Sequence, residues 1–463
     1  MALPFSNTAG RTLERLRNAF VETARGAREA VGAPLRPDLP DDDLPRLKNR
    51  IDACLEGKGG ETARRGRAAE LGQAYLSLSP AGRKKFLLTL AHDYGLPREA
   101  AMATVERWRA AKEPPRALRK ALESPAVRLL HEFVGVPQGV KFVVDLRAEL
   151  MILGRTDAAA RMLSEDLRPL LGAWFDVGFL DLVRIDWRSS AALLEKLVTY
   201  EAVHAIRSWR DLKNRLDSDR RCFAFFHPRM PDEPLIFVEV ALVNGMAGNV
   251  QRLLDARAET SDPKHANTAI FYSINNCQQG LAGISFGNFL IKRVADQLAR
   301  DLPNIKDFAT LSPIPGLRQH VDGRLKNEGD GALTAGEIAS LVPVTDEAAG
   351  AAAVRKLLDR PTWWEVPAIN KALRPILTRL AARYLTTDEN GRALDRVAHF
   401  HLGNGAVVER LNWLADTSAN GLKQSYAMMV NYRYKLGDVD ANHEAYASGR
   451  IVASREVRAL AKG

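Results

Sequence analysis

Apolar residues recur every three or four positions from about Thr12 to Phe175, the spacing that gives a helix one buried face. Leu13, Leu16, Phe20 and Val21 mark one stripe. Phe86, Leu87, Leu90 and Ala91 mark another, after the helix-start signal Ser79-Pro80. Pro and Gly punctuate the pattern at Pro34 to Pro45, Gly57 to Gly60, Gly95 to Pro97, Pro114-Pro115 and Pro137 to Gly139. Spacers this short predict antiparallel helices in a bundle, and no period repeats as a solenoid would. From Trp187 onward the pattern changes. Arg221 to Pro228 and Pro234 to Leu242 are β-rich runs joined by a short Pro-containing connection, which predicts a hairpin. Asn244-Gly245 is a turn signal, Asn249 to Ala256 reads as a short helix, and Ala266 to Asn275 as a third strand. Gly280, Gly283 and Gly287 then mark a turn before an amphipathic helix over Asn288 to Leu302. Asp307 to Leu311 reads as a fourth strand, ending at Ser312-Pro313-Ile314-Pro315-Gly316, and helical patterns return between Ala335 and Leu385. The expected architecture is an all-helical bundle domain over residues 1–175, followed by an α/β or α+β domain over 176–463.

Composition narrows the class without choosing a function. The chain has 463 residues, 46% hydrophobic and 26% charged, which is ordinary globular usage. Sixty-six Lys and Arg against 56 Asp and Glu give +10, and a pI near 9.5. That balance favours polyanionic partners such as phosphate-bearing molecules, nucleic acid or an acidic surface. Arg64, Arg65, Arg67, Lys84 and Lys85 are concentrated, but the interleaved aromatics of a nucleic-acid platform are missing, so solvated helix faces explain them better. Cys54, Cys222 and Cys277 lie far apart without a CxxC pair, which argues against a disulfide scaffold or thiolate zinc site and fits a reducing compartment. Cys54 and Cys222 remain open as surface thiols. No stretch reaches the roughly 18–20 uninterrupted apolar residues of a membrane span. Met1 to Arg28 spreads its charges along a helical pattern and lacks an apolar signal core. The expectation is a soluble, cytoplasmic protein.

Three places could carry chemistry. In the strand–turn–helix unit from Ala269 to Leu302, glycines let the backbone approach a ligand, and free N–H groups at a helix start attract phosphate. Lys292 and Arg293 could add charge there. The spacing matches neither a Walker loop nor GxGxxG, and a plain tight connection remains the alternative. Ser312 stands at a strand end, stiffened by two prolines, where it is either a site hydroxyl or a cap on its own backbone. His399-Phe400-His401, if extended, would point both imidazoles to one side. A metal pair is disfavoured because no carboxylate or third histidine lies close in sequence, so one catalytic histidine or a structural one is the better reading. Tyr432 and Tyr434 alternate around Arg433 in the same way and read as packed aromatics with a satisfied hydroxyl rather than as site residues.

Taken in order, several long blocks of this chain resemble malonyl-CoA decarboxylases. They are Glu233-Pro234-Leu235, AIFYSIN at Ala269 to Asn275, QQGLAGISFGNFLIKRV at Gln278 to Val294 and LSPIPG at Leu311 to Gly316. FHLGNGAVVERLNWLAD at Phe400 to Asp416 and NYRY at Asn431 to Tyr434 complete the set. The resemblance weakens back to about Phe175, and the helical region matches mainly in type and length. It implies a helical domain used in self-association, giving a homo-oligomer that is a dimer or dimer-based, and a catalytic domain of the GNAT-type acyl-CoA-binding fold. It also implies conversion of malonyl-CoA to acetyl-CoA and CO₂.

By position the resemblance assigns the catalytic serine to Ser312, the catalytic histidine to His401 and a supporting tyrosine to Tyr434. Substrate binding falls to Gly280, Ala282, Gly283, Ile284, Ser285, Phe286, Gly287 and Asn288, together with Ser312 and His401. Some relatives place glutamate where this chain has Ser285, so no catalytic role is carried to that position. No metal and no separate cofactor are implied, since coenzyme A arrives with the substrate and its thioester is itself the electron sink. Nucleic acid and membrane are not expected as partners. The rival readings are a GNAT-type N-acyltransferase, which needs an acceptor amine, and a non-enzymatic CoA- or RNA-binding protein, which would show salt-dependent binding without turnover.

Overall fold

The computed structural model describes residues 8–25, 34–110, 115–284, 290–346 and 348–462. Ser285, Phe286, Gly287 and Asn288 of the expected substrate turn lie outside the described residues, as do Met1, Arg28 and Pro114.

Helices fill the first part of the chain from Thr8–Arg25 to Ala158–Trp174. The stripes read from sequence face inward: Leu16, Phe20, Phe86, Leu87, Leu90 and Ala91 are all buried. Ser79 caps its helix by accepting from the Gly82 amide at 3.2 Å, which supplies one of the donors that a helix start leaves open. The bundle closes around aromatic edges, with Phe142 set 5.1 Å from Phe20, 5.5 Å from Tyr75 and 4.8 Å from Phe133. Arg65 pairs with Glu61, and Lys85 with Asp41, so members of the basic cluster are neutralised on helix faces.

The described residues of the second part form ten strands. They are β1 (Asp181–Ile185), β2 (Arg220–Phe226), β3 (Ile236–Val243), β4 (Thr268–Asn276), β5 (Asp307–Thr310) and β6 (Ser312–Pro313). β7 (Asp388–Glu389), β8 (Arg392–Ala393), β9 (Val407–Asn412) and β10 (Met429–Tyr434) follow. β7 and β8 form a small hairpin, and the rest make one sheet in the order β1-β2-β3-β4-β5-β10-β6, with β9 on β10. The β2–β3 hairpin is as read from sequence. The sheet begins earlier than the texture change at Trp187, and β9 and β10 were not foreseen as strands. The expected helix at Asn249 to Ala256 shrinks to Val250–Leu253.

Two departures from regular pairing create the site. β4 and β5 are parallel only from Thr268↔Asp307 to Phe271↔Thr310. Past that point β4 continues to Asn276 on β3, whereas the other chain steps through Leu311 into β6 and pairs with β10. The sheet therefore opens between the end of β4 and Ser312. At the same level the β3–β4 register skips Tyr272, with Val240 opposite Phe271 and Glu239 opposite Ser273, a bulge that bends the strand.

One hydrophobic cluster runs from Leu16 through the sheet to Val457, so the helical part and the sheet part share a core. Cys54, Cys222 and Cys277 are free and all buried, which removes the reading of Cys54 and Cys222 as surface thiols. No described helix is long and apolar enough to cross a membrane.

Candidate active site

Where the sheet opens lies a cavity of about 470 Å³. Phe271 to Asn276 of β4, Ser312, Pro313 and Pro315 line it, with Val397, Phe400 and His401 from the helix Arg396–Gly403. Arg396 of the same helix, the Ala202–His204 segment, Asp416, Asn420 and Gln424 complete the wall.

Ser312, His401 and Tyr434 meet here from three elements separated by long stretches of sequence. The Ser312 hydroxyl lies 3.2 Å from His401 Nε2 and 2.8 Å from the Thr310 hydroxyl. His401 Nδ1 lies 2.8 Å from the Tyr434 hydroxyl. β10 supplies the frame. Asn431 donates to the Thr310 carbonyl at 2.6 Å, and the Tyr432 amide donates to the Thr310 hydroxyl at 3.1 Å. Period-two alternation sends Tyr432 and Tyr434 to the same side. Tyr434 thus reaches His401 Nδ1, while Tyr432 stacks on the imidazole at 4.5 Å between centroids and 24° between planes.

His401 stands near the end of a helix, not on an extended segment. The imidazoles of His399 and His401 consequently diverge, and His399 bonds the Tyr446 hydroxyl at 2.6 Å instead. The two are not a metal pair. Asp395 fixes this helix, its carboxylate accepting from the amides of Val397 at 2.9 Å and Ala398 at 3.0 Å. Among the described residues no group of three His, Cys, Asp or Glu side chains is placed to hold a metal ion.

Burial sets the electrostatics. His401 is 3% exposed, and desolvation pushes its pKa down to about 3, so the imidazole is neutral near pH 7. Desolvation raises Tyr434 well above the usual phenol value, keeping its hydroxyl protonated. A protonated phenol beside a neutral imidazole can donate to Nδ1, which leaves the imidazole proton on Nε2, facing Ser312 Oγ.

Of the expected substrate turn, Gly280, Ala282, Gly283 and Ile284 are described. They follow β4 but do not line the reaction cavity. Helical-part arginines hold this turn by its carbonyls. Buried Arg147 donates to the carbonyls of Gly280 and Ala282, and Arg168 to that of Gly283 at 2.9 Å. Gly283 has φ +75°, the left-handed region that favours glycine. A Cβ on Gly280 would fall 1.8 Å from the Val144 carbonyl oxygen, so the turn is pressed onto the helix Gly139–Leu153. Lys292 pairs with Asp440, and Arg293 donates to the Leu180 carbonyl.

Several site residues escaped the sequence reading. Thr310 stands two positions before Ser312 on the same strand path, a spacing that could have signalled a shared side. Glu201 and His204 carried no local signal. Buried Glu201 accepts from Ser273 at 2.7 Å, Asn275 at 2.9 Å and the amides of Val203 and His204 at 2.8 and 2.6 Å. This ties the Glu201–His204 segment to the far end of β4.

Known proteins resemble this chain over most of its length. The family model for the malonyl-CoA decarboxylase C-terminal domain matches residues 178–463, and that for its N-terminal domain matches 94–175. A mitochondrial malonyl-CoA decarboxylase of Anser anser anser is 37% identical over 414 residues, 84% of this chain and 82% of that protein. The mitochondrial protein of the same name from Mus musculus is 34% identical over 94% of this chain and 91% of its own length. The crystal structure of malonyl-CoA decarboxylase from Rhodopseudomonas palustris superposes with a TM-score of 0.81 at 40% identity, covering 90% of this chain and 99% of that one. The Agrobacterium vitis enzyme structure gives the same values. On both sequence and fold, this chain belongs to the malonyl-CoA decarboxylase family.

Proposed function

We propose that this protein converts malonyl-CoA to acetyl-CoA and CO₂ in the cavity where β4 and β6 diverge. The observation that carries the reading is the hydrogen-bonded chain Tyr434–His401–Ser312 at that cavity.

The malonyl carboxylate is β to a thioester carbonyl. When the bond from the α carbon to the carboxylate breaks, its electron pair moves into the thioester, giving CO₂ and an enolate. That carbonyl is the electron sink, so no separate cofactor is required. Backbone N–H groups of the bulged β4 and the turn after it would hold the oxygen where charge arrives. Ser312 and His401 would orient the departing carboxylate. A neutral His401 suits this role, because a cation would stabilise the carboxylate and oppose its loss. The proton on His401 Nε2 then passes to the α carbon while Tyr434 returns one to Nδ1. Solvent then reprotonates Nε2 while Nδ1 gives its proton back to the Tyr434 phenolate, and acetyl-CoA is complete.

Within the same reading, the sheet part is a GNAT-type acyl-CoA-binding domain over 176–463, and residues 1–175 form the oligomerisation domain. A parallel pair that splays beside a β4 bulge supports the first assignment. The turn beginning at Gly280 and running on through Asn288 would take the coenzyme A pyrophosphate, with its carbonyls held back by Arg147 and Arg168. The protein would be a homo-oligomer, most simply a dimer, and a monomer mass by light scattering would contradict this. We assign it to the cytoplasm, where free thiols stay reduced; cell fractionation tests this against the mitochondrial location in the relatives' names.

The direct test supplies purified protein with malonyl-CoA, without metal or amine, and follows products by mass. Acetyl-CoA formed one-for-one with malonyl-CoA consumed supports the reading, including after dialysis against EDTA. Turnover only on adding an amine would indicate acyl transfer instead.

A further inference from the structure

Thr310 is not among the residues that line the reaction cavity, yet its hydroxyl is the second partner of the Ser312 hydroxyl, at 2.8 Å. It is 1% exposed and stands at the end of β5, just before the step into β6. Strands on both sides hold its backbone still. The Leu311 amide donates to the Phe271 carbonyl of β4 at 2.9 Å, and the Thr310 carbonyl accepts from the Asn431 side chain of β10 at 2.6 Å. The hydroxyl oxygen is fixed as well, since it accepts from the Tyr432 amide at 3.1 Å.

With the Tyr434 phenol as donor, proton accounting along this line leaves one order. A hydroxyl gives one proton and has two lone pairs with which to accept. The Tyr432 amide can only donate, so it occupies one lone pair of Thr310 Oγ1 and leaves the other open. At the far end Tyr434 donates to His401 Nδ1, and the imidazole proton stands on Nε2, which lies 3.2 Å from Ser312 Oγ. Ser312 Oγ then accepts from Nε2, and its own proton has to point elsewhere. Thr310 Oγ1 is the other side-chain partner of that hydroxyl among the described residues.

We infer that Thr310 is a positioning residue: it takes the Ser312 proton and so keeps the His401 proton on Nε2, where the reaction needs it. The chain then runs one way, from the Tyr434 phenol through His401 and Ser312 to Thr310. The inference rests on the decarboxylase reading above and deepens it. Without the Thr310 oxygen, the Ser312 proton would turn to Nε2 as its acceptor, and the neutral ring would carry its proton on Nδ1. Nε2 would then have no proton to give the α carbon. When malonyl-CoA enters, the Ser312 hydroxyl can turn from Thr310 to the carboxylate, because a bond to a charged acceptor is roughly twice as strong as one to a neutral oxygen. A lone pair of Ser312 still faces Nε2 in that state, so the tautomer is kept.

The test compares Thr310→Val, which keeps the shape and loses the hydroxyl, with Thr310→Ser, which keeps the hydroxyl. Malonyl-CoA turnover is measured in both, and thermal melting checks their folding. The His401 tautomer is read from ring ¹⁵N shifts in histidine-labelled protein, with a His401→Phe spectrum to assign the signal. In Thr310→Val the expected result is kcat lower by about 10²-fold, the low end for a proton-transfer group, with KM within about threefold. Its His401 changes to the Nδ1–H tautomer. Thr310→Ser is expected to keep Nε2–H and to recover about tenfold or more of the lost rate. A wild-type rate in Thr310→Val, or an Nε2–H tautomer there despite a slower rate, would overturn the inference. So would equal losses in both variants, a raised KM with kcat unchanged, or an Nδ1–H tautomer in the wild type. Absence of acetyl-CoA from the wild type would instead sink the decarboxylase reading, and the tautomers would still decide the role of Thr310.

Discussion

His401 is held neutral by burial and made directional by its neighbours, and both properties can be measured. Its folded pKa of about 3 lies below the 6.5 of a free imidazole, so the unfolded chain binds its proton more readily. Stability should therefore fall as pH drops from about 6.5 toward 3. Urea midpoints between pH 7 and 4.5 should show this, and His401→Phe should flatten the slope by about one proton. An unchanged slope would mean that the imidazole is not desolvated. Tyr434→Phe removes the partner of Nδ1 and leaves the ring packing in place. It should lower kcat by roughly 10²-fold, the low end of what a proton-transfer group contributes. Ser312 was visible in the sequence because two prolines frame it, whereas Thr310 lacked such punctuation. Glu201 could not be read at all, since Ser273 and Asn275, which its carboxylate holds, lie on a strand about seventy residues away.

Elements, rather than single residues, decide where these groups point. His399-Phe400-His401 read as an extended alternation because three residues carry too little periodicity to separate strand from helix. The Asp395 cap was the missed signal, as an aspartate whose carboxylate satisfies the first free amides of the helix. Asp395→Ala should cost about 1 kcal/mol for the lost cap and also reduce kcat, because the same carboxylate lies 3.4 Å from the Gly316 amide beyond Ser312. Lower stability with kcat unchanged would show that the cap does not position His401. The strand–turn–helix unit was legible from its glycines, but the reason for Gly280 was not. A Cβ there meets a carbonyl oxygen at 1.8 Å, so Gly280→Ala should destabilise by about 1–3 kcal/mol through overpacking, seen as a lower melting temperature.

At the scale of the molecule, the change from helices to sheet was clear from periodicity, yet the shared core was not. Periodicity reports which face is buried and not what it is buried against. The structure places the helix Gly139–Leu153 directly under the turn after β4, with fully buried Arg147 bonded to Gly280 and Ala282. The helical part is therefore a support for that turn as well as the proposed subunit interface. Arg147→Met keeps the volume and removes the bonds. It should raise KM for malonyl-CoA several-fold with a smaller effect on kcat, and an unchanged KM would separate the turn from that support.

The central claim is that one hydrogen-bonded chain in the opening of the sheet performs the decarboxylation. Its most direct test is the rate of acetyl-CoA formation from malonyl-CoA by the wild type, Ser312→Ala and His401→Ala under identical conditions. Turnover in the wild type and losses of about 10²–10⁴-fold in both variants, with melting temperatures preserved, are the predicted result. Equal rates in all three proteins would contradict it.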